Sequence, residues 1–273
     1  MPTVAVIGNV ARDLVDGGAP RIGGGPFYAA QALRMLHVPS RVLTKSTAED
    51  RKALVSDLTA LGVPVEWRSA PATATFELVY DGDRRSVTIA EIGDTWRAEE
   101  VGEWVGDALG DAEWVHLAPL ARSDFPAPTL AALADGRRLS FDGQGLVRPG
   151  RKGGVRLDAD FDRDVLRHLQ VLKLAEEEAL AVLDAIDEES VAALGVPEVL
   201  VTLGPLGSLV FAGGPPVRVH AIPVDADPTG AGDMFMAAYV VARSEGAEPA
   251  DAARSASRVV EQLLAERLDG PAQ

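Results

Sequence analysis

Near its carboxyl end the 273-residue chain carries Val224-Asp-Ala-Asp-Pro-Thr-Gly-Ala-Gly-Asp233, followed by Met234-Phe-Met-Ala-Ala-Tyr239, an apolar run suited to a buried helix. A glycine-rich turn that opens into a helix presents consecutive backbone N–H groups at the positive end of the helix dipole, a natural seat for phosphate oxygens. Gly230, Ala231 and Gly232 are small enough to let phosphate approach the backbone. Asp233 falls in the first helical turn beside that seat, where a carboxylate is unhelpful if phosphate binding is its only purpose. It makes sense as a base that takes the proton of an attacking hydroxyl while the adjacent amides stabilise the transferring phosphoryl group. Read for structure alone, Asp233 complements the helix dipole and the glycines form an ordinary turn.

The elements that must position this segment follow from hydrophobic patterning. Val4–Ile7 is a short apolar run ending at Gly8, which reads as a buried strand of a parallel sheet. Similar runs at Arg41–Lys45, Trp114–Ala118, Arg138–Asp142, Val171–Leu174 and Val199–Leu203 are separated by segments of helical period, including Phe27–Leu36, Glu49–Leu61, Ala175–Ala185 and Gly232–Arg243. Strands alternating with helices predict a doubly wound α/β sheet. Two stretches break the rhythm. Asp13–Ile22 is too short and glycine-rich for a helix, and Val65–Ile92 reads as strands Val65–Arg68, Thr73–Tyr80 and Arg84–Ile89, with a hairpin turn at Asp81-Gly82-Asp83. Together they predict a small β lid over the carboxyl edge of the main sheet, where open α/β folds bind ligands. The expected boundaries are 1–12, 23–63 and 93–273 for the core, and 13–22 and 64–92 for the lid; a β-rich edge of a single domain is the alternative.

Composition narrows the function. Lys plus Arg is 26 against 41 Asp plus Glu, a net charge of −15, which argues against general nucleic-acid binding or attraction to anionic membranes. A polyanionic ligand must then be held by a local site. The chain has no cysteine, so thiolate chemistry and cysteine-ligated metals are excluded, and its 4 histidines are too scattered for a metal motif. No apolar run approaches the length of a bilayer span and no signal peptide is recognisable, so the expected location is cytoplasmic. The first strand is followed by Gly8-Asn-Val-Ala-Arg-Asp13, which lacks a dinucleotide-binding Gly-x-Gly-x-x-Gly, and the P-loop pattern occurs nowhere.

Asp227-Pro-Thr-Gly-Ala-Gly-Asp233 resembles the carboxyl-end signature of the ribokinase-like (PfkB) carbohydrate kinases, and other matches follow in the family's order over nearly the whole chain. The resemblance implies a three-layer, doubly wound, mostly parallel sheet with a β-sheet lid. It implies an ATP-dependent kinase acting on a sugar or cyclitol, with a nucleoside kinase or a catalytically weak sugar- or nucleoside-binding regulator as alternatives. Asp233 would be the base and Gly230, Ala231 and Gly232 the anion hole. Asp13 would bind substrate hydroxyls, a task suited to a carboxylate that accepts several hydrogen bonds.

Gly23-Gly-Gly-Pro-Phe-Tyr28 is similar to the amino-end signature, with Gly23 and Gly24 as lid hinge and substrate contact. Tyr28 stands where an asparagine is usual, as a ring that stacks on substrate or fills space. Asp142-Gly-Gln-Gly-Leu-Val-Arg148 looks like the inositol-kinase subset, which implies Gln144 on the acceptor and Arg148 near the transferred phosphoryl group. In Lys173-Leu-Ala-Glu-Glu-Glu178, Glu178 would organise the Mg2+ hydration shell, although Ala175 replaces the usual asparagine. Thr202, Gly204 and Gly207 match the nucleotide-side element, beside Gly230 and Gly232, and Asp227 matches a position that binds a monovalent cation such as K+ in some relatives. The expected partners are a polyhydroxylated small molecule and ATP, with no nucleic acid or membrane, in a monomer or a homodimer formed through the lid.

Overall fold

A computed structural model describes residues 3–81 and 84–269; Gly82 and Asp83 of the expected hairpin turn and the 270–273 tail lie outside the described residues. The first strands are β1 (Val4–Ile7), β2 (Ala11–Val15), β3 (Arg21–Gly23), β4 (Ser40–Ser46), β5 (Val65–Ser69), β6 (Ala74–Asp81) and β7 (Arg84–Glu91). They are followed by β8 (Trp114–Leu117), β9 (Arg138–Asp142), β10 (Gly153–Gly154), β11 (Leu169–Ala175), β12 (Glu198–Thr202), β13 (Ser208–Phe211) and β14 (Val217–Val219).

Among the described residues, nine strands form one sheet in the order β14-β13-β12-β11-β9-β8-β1-β4-β5. From β5 to β12 the pairing is parallel, and β13 and β14 add an antiparallel edge. Side chains alternate across the sheet, so Val4 and Val6 of β1 join one core and Ala5 and Ile7 the other. The first core is closed by helices Gly25–Leu36, Ala231–Ser244 and Pro249–Asp269, and the second by the segments carrying Trp96, Phe125 and Leu130. The result is the doubly wound three-layer α/β architecture.

A second sheet, β10-β7-β6-β2-β3, forms the lid. Its inner face buries Ala11, Ala74, Phe76 and Ile89 against Leu120. Three boundaries differ from the sequence expectation. Val65–Ser69 is not a lid strand: β5 pairs in parallel with β4, with Val42 opposite Val65, and Trp67 Nε1 donates to Ser46 Oγ at 2.8 Å. An alternating pattern fixes which face of a strand is apolar but not which sheet it joins. The lid begins at Ala11 rather than Asp13, because β2 pairs with both β3 and β6. It also recruits β10 from the loop after Arg148, a pairing made by two glycines that carry no hydrophobic pattern.

Candidate active site

A cavity of about 210 Å³ lies between the lid and the carboxyl edge of the main sheet. The lid contributes the apolar Ala11, Phe76, Leu78 and Val87 together with Asp13; the polar floor holds Asp142, Gln144, Arg148, Lys173 and the loop from Pro228 to Asp233. The sequence-predicted residues Asp13, Gly24, Tyr28, Gln144, Arg148, Gly230, Ala231, Gly232 and Asp233 therefore share one chamber although they come from opposite ends of the chain.

The anion loop is built from its own residues. Asp227 Oδ1 accepts from the Thr229 amide (3.0 Å) and hydroxyl (2.7 Å), closing a local turn. Gly230, at φ 78°, then caps the helix Ala231–Ser244. The left-handed conformation requires glycine, and the Tyr28 ring covers this residue so closely that a Cβ would overlap it. Ala231 donates its amide to Pro228 O at 2.9 Å. Among the described residues the Gly230, Gly232 and Asp233 amides donate to no backbone carbonyl, which leaves them for an anion at the helix start.

Asp233 faces this loop, and its Oδ1 is buried without a hydrogen-bond partner among the described residues. Burial, reinforced by the nearby Asp142 charge, pushes its carboxyl up to about 7, against the pull of Lys173 and Arg148. A group poised there accepts a proton near neutral pH. The carboxylate reaches its position because residue 25 is glycine: a Cβ would come within 2.6 Å of both Asp233 Oδ1 and the Ala118 side chain.

Below the loop is a charge cluster that the sequence reading did not single out. The β9–β11 register sets Lys173 opposite Asp142, and Lys173 Nζ stands 3.2 Å from Asp142 Oδ2 and 3.7 Å from Glu178 Oε2. Burial alone would lower the ammonium pKa, but Asp142, Glu178 and Asp233 outweigh it and hold the group above the ordinary lysine value. The side chain also lies against the anion loop, since a Cβ on Gly232 would meet Nζ at 3.1 Å. A sequence signal existed: a lone lysine in the buried strand Val171–Leu174 must be paired, because lysine is almost never fully buried otherwise.

The residues expected to meet the acceptor come from the lid and from the core beside it. Asp13, on β2, packs its carboxylate directly over Gly23, where any Cβ would overlap it. Gly24 has φ 92° and approaches Asn9 O so closely that a Cβ would lie 2.6 Å away, so the expected hinge position is one that only glycine fits. Tyr28 is half-buried, and burial, then Asp13 and Asp233, raise its phenol above the ordinary tyrosine value, which keeps it a hydroxyl donor. Arg148 lies over the Phe76 ring, 5.7 Å from its centroid, and donates to Leu120 O at 3.3 Å.

Other expected residues are placed elsewhere. Glu178 is buried with Oε2 accepting from the Ala175 amide at 2.7 Å, so its carboxylate is committed to the start of its own helix and to Lys173. Thr202 ends β12 and its hydroxyl donates to Leu174 O at 3.4 Å. Gly204 and Gly207 have φ 57° and 93°, and Gly207 closes the β12–β13 connection against the end of β14, where a Cβ would strike Val219 O. These three share the carboxyl edge but do not line the cavity. Asp227 is likewise outside it, exposed and turned into its own loop.

A family model described as pfkB family carbohydrate kinase matches residues 24–266. The chain belongs to that family. It is a phosphotransferase with a hydroxyl acceptor. The chain is 25% identical over 266 residues to a cytidine kinase of Thermococcus kodakarensis, covering 90% of each. Among solved structures, a pyrophosphate-dependent kinase of the ribokinase family matches with TM-score 0.82 and 26% identity over 96% of this chain and 95% of the other. The same kind of kinase complexed with a pyrophosphate analogue and myo-inositol matches at 0.81, with 26% identity and coverage of 96% and 95%. The ribokinase of Arabidopsis thaliana shares the fold at TM-score 0.72, with 20% identity over 97% and 93% of the two chains. Among the described residues no helix is long and apolar enough to cross a membrane.

Proposed function

We propose that this pfkB family kinase phosphorylates a hydroxyl of a small cyclitol or sugar. The observation that carries the reading is the proton-accepting Asp233 carboxylate, its Oδ1 buried without a hydrogen-bond partner among the described residues, facing a chamber walled by Asp13, Gln144 and the anion loop. Asp13 and Gln144 hold acceptor hydroxyls and Tyr28 closes the chamber on the loop side. Asp233 takes the proton of the attacking hydroxyl as its oxygen bonds to the terminal phosphorus, and the bond to the donor's bridging oxygen breaks. The helix-start amides, Lys173 and Arg148 face the charge on the transferred group. The cavity is below the roughly 300–1,000 Å³ of sites for drug-sized ligands, which favours a single small ring as acceptor.

ATP is the donor in this reading, with Thr202, Gly204 and Gly207 on the nucleotide side. Mg2+ would come in with the donor and supply charge neutralisation on its phosphates; Glu178 and Asp142 are both paired with Lys173, so they do not fit as direct ligands and water and the donor's own oxygens would have to hold the ion. A second reading replaces ATP by pyrophosphate. It is favoured by the match to pyrophosphate-dependent kinases at 26% identity and by a cavity that is continuous with the anion loop but not lined by Thr202, Gly204 or Gly207. The cytidine kinase similarity keeps a nucleoside acceptor as the alternative. A grid of ATP and pyrophosphate against inositols, pentoses, hexoses and nucleosides, followed by phosphorus NMR, tests donor and acceptor together. Transfer to no acceptor with either donor would leave only a binding or regulatory role.

A further inference from the structure

The last turns of the helix Pro249–Asp269 reach back over the anion loop through one side chain. Arg267 Nη1 donates to the carbonyl oxygens of Asp227 (2.8 Å) and Thr229 (2.9 Å). Its Nη2 faces Gln31 Oε1 at 3.4 Å and Met234 Sδ at 3.8 Å, and the guanidinium carbon stands 5.9 Å from the centroid of the Tyr28 ring. One cation thus touches the loop, the helix it opens, the helix Gly25–Leu36 and the ring that packs on Gly230.

The consequence for the loop follows from peptide geometry. In a planar trans peptide the C=O of one residue and the N–H of the next point in opposite directions. The described residues contain no cis peptide. Anchoring Thr229 O on Arg267 therefore turns the Gly230 amide away from the C-terminal helix, toward the cavity side. A monovalent cation at Asp227, which the family resemblance implies, does not fit these residues. One oxygen of the Asp227 carboxylate is already closed on Thr229, and the adjacent carbonyls of Asp227 and Thr229, which a bare cation would need, are taken by a guanidinium that is permanently charged.

We propose that Arg267 is a tethered cation that positions the anion loop, so that phosphoryl transfer by this chain requires no monovalent cation. The proposal rests on the kinase reading above. Arg267 is a positioning residue: it acts on the donor through the loop.

The test compares the wild type with Arg267→Ala and Arg267→Lys in potassium chloride and in tetramethylammonium chloride at equal ionic strength. Wild-type rates should agree within about twofold in the two salts, and K+ should not raise its melting temperature, because a bound ion would stabilise the native state. Arg267→Ala should lose at least about tenfold in kcat/KM for the donor with the acceptor KM little changed, and Arg267→Lys should fall between the two. Ethylguanidinium chloride should restore Arg267→Ala and leave the wild type unaffected, a response that a merely structural role would not give. A wild type that needs K+ or is stabilised by it overturns the proposal, as does an Arg267→Ala variant with unchanged donor kcat/KM or with no response to ethylguanidinium. If Arg267→Ala does not fold, the wild-type salt comparison and the Arg267→Lys donor kinetics decide. Wild-type protein inactive with every donor and acceptor would instead overturn the kinase reading, and its melting temperature in the two salts would still test the cation.

Discussion

The Asp233 carboxylate lies against the backbone of Gly25, 2.6 Å from where a Cβ would stand, so the first residue of one helix sets how far the base on another can reach. Gly25→Ala should therefore move the base rather than remove it. The expected result is a loss of about 100-fold or more in kcat, with a stability cost of about 1–3 kcal/mol from overpacking against Ala118. Steady-state kinetics beside a denaturant melt separate the two, and unchanged kcat would refute the steric argument.

Because burial raises Asp233 to about 7, the base is protonated at lower pH, and kcat/KM should rise through an apparent pKa near 7. Asp233→Asn should lower turnover by about 10²–10⁴-fold or more. The stability effect has the opposite sign. The folded state keeps this proton up to about 7 while an unfolded aspartate loses it near 3.8, so ionisation costs the native state stability as pH rises through that window and fully above it. Asp233→Asn should raise the melting temperature by a few degrees at about pH 8 and change it little at about pH 4.

Lys173 neutralises two buried carboxylates, Asp142 and Glu178. Lys173→Met leaves both without their cation and should cost about 3–5 kcal/mol, as removal of one partner of a buried ion pair does. The double variant Lys173→Met with Asp142→Asn should regain part of that stability but not the activity, since the positive charge beneath Gly232 is still missing. Thermal melts and initial rates on the single and double variants give the coupling directly.

Tyr28 bridges the acceptor wall and Gly230. Tyr28→Asn should widen the chamber and change the ranking of acceptors in a panel of inositols, sugars and nucleosides by about tenfold, with the donor KM moving less. An unaltered ranking would reduce Tyr28 to a packing role.

His116, on β8, is buried with Nδ1 3.0 Å from Ser140 Oγ, and burial depresses its pKa to about 4. Its neutral form is compatible with the fold above its ordinary value of 6.5, and stability should fall as pH drops from there toward about 4, where the unfolded chain gains a proton that the native state does not take. His116→Gln should flatten that part of the pH–stability curve measured by urea denaturation.

Much of this molecule was legible in the chain itself. The run Val4–Ile7 ending at Gly8 and the alternation of apolar strands with helical segments specified a doubly wound sheet, because burial on both faces demands such runs. The Gly230–Asp233 string specified a glycine turn opening a helix with a carboxylate in its first turn, because those residues are local and their backbone geometry travels with them. The fate of Val65–Ser69 was not readable, since a period-2 pattern names a face and not a partner strand. A lone lysine in a buried strand signals that Lys173 must be paired, but its Asp142 partner was not readable, since it depends on the register between β9 and β11. Arg267 illustrates the remaining gap. The spacing of Ala252, Ala253, Ala256, Leu263 and Leu264 is a helical signal that marks its helix, but only packing brings that helix's last turns onto carbonyls 38 and 40 residues earlier. Sequence determined which chemical groups this protein owns and the local shape of its anion loop; tertiary structure decided which distant charges face that loop, because electrostatic and steric influence follows distance in space and not order along the chain.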